Sequence, residues 1–123
     1  MTKPRDYFTG KQEEFKRSEV QIAPYNPRKI SPQQKATLKR SIRKYGVVGG
    51  ITVNKQTMTI VGGNQKVTIM DEIMGYPEKD YALLAEAIDV DYKTEVELNL
   101  MLNSENAHGE WDDMKVRELL PDI

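Results

Sequence analysis

Two periods run through the apolar positions of this chain, and the points where one gives way to the other mark its elements. Val20-Gln21-Ile22-Ala23 alternates and reads as a short first strand. Pro24 to Lys29 holds two prolines, which exclude a helix and leave Arg28 and Lys29 exposed on a loop. Ser31-Pro32-Gln33-Gln34 then opens a helix, with an N-cap serine, a proline at the first helical position and a glutamine at the third. That helix runs to about Tyr45 and stops at Gly46. Leu38, Ile42 and Tyr45 form its apolar stripe, with Ala36 near the edge. Ile51-Thr52-Val53 and Met58 to Val61 alternate again and read as a hairpin joined by Asn54 to Thr57.

The stretch from Thr57 to Tyr76 organises the rest. A β-branched strand meets Gly62-Gly63-Asn64, and from Gln65 the period becomes helical. Val67, Met70 and Met74 make one stripe, flanked by Ile69 and Ile73, and Gly75 is the expected stop. Ala85 to Asp91 alternates apolar with acidic, as an outer strand with one face in water does. Thr94-Glu95-Val96-Glu97 opens a further helix to about Ser104, with Val96, Leu100 and Asn103 on one face. A last helix is expected from Asp112 to Leu120, anchored by Trp111 and Met114. Residues 1–19 show neither period. They are polar, with Tyr7, Phe8 and Phe15 as the only anchors, so a partly ordered tail is expected there and one domain over 20–123.

Composition narrows the class. No apolar run approaches the roughly 18–20 residues that cross a bilayer, and the N-terminus has no apolar centre, so a cytoplasmic protein is expected. The chain has no cysteine, which excludes a disulfide scaffold, a cysteine-ligated zinc and thiol catalysis by this chain. Charge is split: residues 1–45 hold 12 Lys and Arg against 4 Asp and Glu, and the remainder holds 6 against 15. The basic half either meets an anionic partner or is attracted to the acidic half of the same fold. Lys35, Lys39, Arg40, Arg43 and Lys44 lie on a helix with no acidic residue, and with Lys29 they make a candidate nucleic-acid surface.

A strand that turns through two glycines into a helix points first-turn N–H groups and the positive end of the helix dipole at one spot. Gly62 and Gly63 allow a phosphate close to the backbone, and Lys66 can add charge. The same residues also fit a plain tight turn with Asn64 as N-cap. His108, the only histidine, could act near a phosphate or as a surface group. Trp111 and Asp112 read as core plug and N-cap, and Asp71 and Glu72 as a solvated face. No paired-carboxylate arrangement adjoins the glycine turn, so nuclease activity is not expected.

The order of these motifs resembles the ParB N-terminal-like (ParB/sulfiredoxin) superfamily. An N-P-R-K loop precedes a helix ending in glycine. A hairpin follows, then Gly62-Gly63-Asn64-Gln65-Lys66 opening a helix that ends Gly75-Tyr76. An acidic strand, a helix, Glu105-Asn106 and Gly109-Glu110-Trp111-Asp112 complete the order. The match spans about residues 20–120 and looks closest to small stand-alone versions in phages and mobile elements. The resemblance implies an α+β fold, a small mixed sheet with helices packed on it. It implies a nucleoside triphosphate, CTP or ATP with Mg²⁺, at the turn. Arg28, Gly62, Gly63, Asn64, Gln65 and Lys66 would hold the nucleotide, and Glu105 and Asn106 the metal. Slow NTPase activity, a DNA-linked process, and a homodimer or a separate DNA-binding partner are the corresponding expectations.

Three departures matter. Asn64 stands where sulfiredoxin has its cysteine, so that chemistry is excluded. Lys66 stands where arginine is usual, a point charge in place of a bidentate fork. The motif after Glu105-Asn106 lacks a second basic residue. With neither a helix-turn-helix module nor a C-terminal dimerisation domain in its 123 residues, the chain is not expected to act as a full partition clamp by itself. The alternative reading is a DNA-binding or protein-interaction module that uses helix 32–45 without nucleotide turnover.

Overall fold

The computed structural model describes residues 7–26, 29–103 and 113–119. Five strands form one mixed sheet: β1 (Lys11–Lys16), β2 (Gln21–Ile22), β3 (Thr52–Asn54), β4 (Thr59–Gly62) and β5 (Ala82–Ile88), in the order β1-β5-β3-β4-β2. β1 runs antiparallel to β5, β5 parallel to β3, β3 antiparallel to β4 and β4 parallel to β2. Among the described residues the helices are α1 (Pro32–Tyr45), α2 (Asn64–Met74), α3 (Tyr92–Leu102) and α4 (Asp113–Leu119). This is the expected α+β arrangement.

Local chemistry accounts for most boundaries. Ser31 accepts from the Gln34 N–H at 3.1 Å, while the Gln34 side chain accepts from the Ser31 N–H at 2.8 Å, a complete capping box at the start of α1. Gly75 ends α2 in the left-handed region, at φ 80°, and gives its N–H to Asp71 O. The core gathers Phe15, Ile51, Val53, Ile60, Val67 and Leu83, with Ala85 and Ala87 beside them. Val53, Ile60 and Val67 are fully buried, which stabilises the fold by roughly 1.5–3 kcal/mol each.

Several expectations are corrected. Residues 11–19, expected in the polar tail, supply β1 and a 3-10 turn. Phe15 carries β1 into the core opposite Leu83, and the charged neighbours face water from an edge strand. β5 has one wet face, as expected, but lies inside the sheet because β1 covers its outer side. On α1 only Ile42 is buried, and Tyr45 is 66% exposed, so the expected stripe is narrower. Asp91, three residues before the expected start, caps α3 by accepting from the Thr94 N–H at 2.8 Å. The face α3 buries carries Glu95 and Asn99, while Leu100 is exposed.

Asp71 is also not on a solvated face. Its carboxylate accepts from Arg17 Nε at 2.8 Å and NH2 at 3.0 Å, and from the Tyr81 hydroxyl at 2.7 Å. Arg17 is 7% exposed, gives NH1 to Val20 O at 2.8 Å and lies 4.4 Å from the centre of the Tyr76 ring. Burial first, and the bond to Asp71 second, push the Tyr81 hydroxyl pKa up. A forked pair in this setting pins the C-terminal half of α2 to the corner between β1 and β2.

Candidate functional site

The turn from β4 into α2 opens onto a cleft of about 300 Å³. Gly63 is the N-cap of α2, in the left-handed region at φ 87°, and brings no side-chain cap. A Cβ there would lie 3.1 Å from Ile51 Cγ1 and 3.2 Å from Gly50 O, so the turn requires glycine on conformation and on space. The first-turn N–H groups of a helix have no carbonyl partner within it, and here the first-turn residues Asn64, Gln65 and Lys66 line the cleft. A second glycine segment, Gly49-Gly50, borders the same space. Lys66 joins it: its Nζ lies 3.5 Å from Gly50 O, and a Cβ on Gly49 would come within 2.7 Å of that ammonium.

Asn64 has a different role from the N-cap that the plain-turn reading gives it. Its side chain is 5% exposed, accepts from the Ala23 N–H at 3.0 Å and donates to Ile60 O at 3.0 Å. It binds the exit of β2 to the start of α2, which leaves its backbone, not its amide, for the cleft. Gly62, Gly63, Asn64, Gln65 and Lys66 all line this cleft. Arg28, Glu105 and Asn106 lie outside the described residues, as do His108, Glu110, Trp111 and Asp112.

Of the other walls of the cleft, only Asn26, the first residue of the N-P-R-K loop, belongs to a motif. Asn26 and Leu38 line it from the loop before α1 and from α1 itself. Thr52 comes from β3, and Leu102 and Asn103 from the end of α3. Only the tertiary fold assembles these. Among the described residues no carboxylate lines the cleft, and none forms a cluster of three or more metal-ligating side chains. A lysine, a helix N-terminus and glycine backbone make an environment that suits an anion.

Beneath α3 lies a buried polar group. Glu95 is 1% exposed and accepts from the Tyr25 hydroxyl at 2.6 Å, from Asn54 Nδ2 at 2.8 Å and from the Thr57 hydroxyl. Burial pushes its carboxyl pKa up, but the bonds from Thr57, Tyr25 and Asn54 outweigh that and hold it below the usual range. Burial, with the bond to Glu95, raises the Tyr25 hydroxyl.

The basic helix is partly neutralised within the fold. Lys35 and Lys39 reach Glu72 of α2 at 2.7 and 3.8 Å, so Glu72, exposed as expected, also pairs with α1. Arg40 NH2 lies 3.3 Å from the Thr37 hydroxyl, and Lys44 Nζ lies 5.2 Å from the centre of the Tyr45 ring. Arg43 and Lys29 are exposed.

Solved structures share this architecture. The C-terminally truncated chromosome-partitioning protein ParB from Caulobacter crescentus, complexed with CTP-γ-S, matches with a TM-score of 0.65 at 19% identity, over 92% of this chain and 64% of that one. A Pnob8-like ParB-N domain matches with a TM-score of 0.56 at 17% identity, over 76% of this chain and 35% of that one. The fold is that of a ParB N-terminal domain. The chain spans less than two-thirds of the length of either structure. The sequence matches no protein-family model and no curated protein. Within the ParB-like fold no described helix is long and apolar enough to cross a membrane.

Proposed function

We propose that this ParB-like domain binds a nucleoside triphosphate, CTP or ATP with Mg²⁺, in the cleft at Gly62–Lys66 and acts in a DNA-linked process of partition, phage or mobile-element type. The observation that carries the reading is the left-handed Gly63 cap, which leaves backbone and the α2 N-terminus at the floor of a cleft that contains Lys66. A Cβ at Gly63 would collide with the β3 approach, so the residues present fit a ligand that needs close backbone contact. The CTP-γ-S complex of the Caulobacter ParB supports the choice of ligand class.

In this reading the backbone of Asn64 and Gln65 meets phosphate oxygens and Lys66 neutralises them. Arg28 adds charge from the loop before α1, and Glu105 and Asn106 supply oxygen ligands to Mg²⁺. The metal, when bound, screens the phosphate charge and orients the chain of phosphates for slow hydrolysis. The DNA-binding alternative ranks second, because the ion pairs to Glu72 direct Lys35 and Lys39 into the contact between α1 and α2.

Titration calorimetry with CTP and ATP, each with and without Mg²⁺, tests the proposal. Micromolar binding of one nucleotide that requires Mg²⁺ is the expected result. Folded protein that gives no heat with either nucleotide overturns it.

A further inference from the structure

A carboxylate buried without a cation is costly unless its oxygens are satisfied by donors. Glu95 meets that condition unevenly. Asn54 Nδ2 and the Thr57 hydroxyl both donate to Oε1, while Oε2 receives the Tyr25 hydroxyl at 2.6 Å. Asn54 and Thr57 belong to the β3–β4 hairpin, away from the cleft. Tyr25 belongs to the loop whose next residue, Asn26, lines the cleft. The helix that holds Glu95 ends at Leu102, and both Leu102 and Asn103 line the cleft as well.

The loop has a second anchor. The Ala23 N–H donates to Asn64 Oδ1 at 3.0 Å, and the Asn26 N–H donates to Ala23 O at 3.1 Å. Residues 23–26 thus bridge the first residue of α2 and the first turn of α3. An edge-on contact between the Tyr25 and Tyr92 rings, 5.9 Å between centroids, holds the tyrosine against α3.

We propose that Tyr25 is a positioning residue for the nucleotide: its bond to Glu95 fixes the Asn26 loop relative to the end of α3 and so sets the shape of the cleft. The inference rests on the nucleotide reading given above. Tyr25 does not itself line the cleft and would act through Asn26, which does.

The test compares two variants that each remove one donor to Glu95. Tyr25→Phe lowers affinity for the nucleotide about tenfold, the scale of one lost buried hydrogen bond. Thr57→Val removes a hydroxyl from the same carboxylate on the hairpin side. It lowers the melting temperature comparably and keeps affinity within about twofold. Affinities are measured by calorimetry well below both melting transitions.

Unchanged affinity in Tyr25→Phe overturns the inference, as does an equal loss in both variants, which would mark a purely structural network. A wild-type protein that binds neither CTP nor ATP removes the nucleotide reading itself, and the inference falls with it. Hydrogen exchange of the wild type keeps the idea testable if Tyr25→Phe does not fold. Added nucleotide and Mg²⁺ are expected to slow exchange in the peptide containing Tyr25 and Asn26 together with the end of α3. Protection at Gly63–Val67 without protection of that peptide overturns it.

Discussion

The two ends of α2 are built in opposite ways. At the C-terminal end every strong group meets a partner within the chain: Asp71 takes a forked guanidinium and a tyrosine hydroxyl, and Arg17 stacks on Tyr76. At the N-terminal end the cap is a glycine with no side chain, and a cleft lies ahead of it. Both ends use glycine in the left-handed region, Gly63 at φ 87° and Gly75 at φ 80°. The difference teaches that one helix can be fixed at one end by side chains while its other end is left open to a cleft. Under the proposed function, stability resides at Asp71 and binding at Gly63.

That division can be broken by experiment. Asp71→Ala leaves the Arg17 guanidinium buried without its carboxylate and is expected to cost about 3–5 kcal/mol in urea unfolding, with the slope unchanged. Nucleotide affinity of the folded protein should stay near the wild-type value. A large affinity loss would show that the two ends are coupled.

The two glycines make a sharper pair. Alanine in the left-handed region costs roughly 1–2 kcal/mol at either site. Gly75→Ala should show only that cost, since the nearest atom to a new Cβ is Lys79 Cδ at 3.9 Å, and should bind nucleotide normally. Gly63→Ala adds contacts at 3.1 and 3.2 Å with the β3 approach and should lose both more stability and the nucleotide. Equal binding in the two variants would end the comparison. Lys66→Ala is expected to change stability by less than about 0.5 kcal/mol while weakening nucleotide binding by roughly ten- to a hundredfold, as loss of a charge-assisted bond does.

The smallest effect concerns acid. The Glu95 pKa is lowered in the folded chain, so its stabilisation is complete above about pH 4.3, the unfolded value, and fades as pH falls through the lower folded value. Glu95→Gln should be less stable at pH 7 and should show a shallower loss below pH 4.3 in urea melts at stepped pH. Exposed Glu72, Asp80 and Asp91 shift in the same direction, so the difference between wild type and variant isolates Glu95.

What the sequence revealed follows from how local each signal is. Ser31 and Gln34 satisfy one another across three residues, and the change of period around Gly62-Gly63 spans a few more, so the start of α1 and the floor of the cleft were legible. β1 was not. Its six residues, Lys11–Lys16, include one inward anchor, Phe15, and the strand exists because of β5, some seventy residues further on. Glu95 followed the same rule. Beside Thr94 it looked like part of a capping box, but its donors Tyr25, Asn54 and Thr57 sit 38 to 70 positions away in sequence. Thr52 and Asn103 carry no motif and reach the cleft only through topology.

The strand order bears on whether copies of this chain could pair edge to edge. The sheet ends on β1 at one margin and on β2 at the other. β1 carries Lys11, Glu13, Glu14 and Lys16, and β2 is two residues long with Pro24 soon after it. A charged strand and a stub are poor templates for a neighbouring backbone. Growth by stacking strand on strand is disfavoured at both margins, so self-association of this domain would have to proceed through helical or loop surfaces.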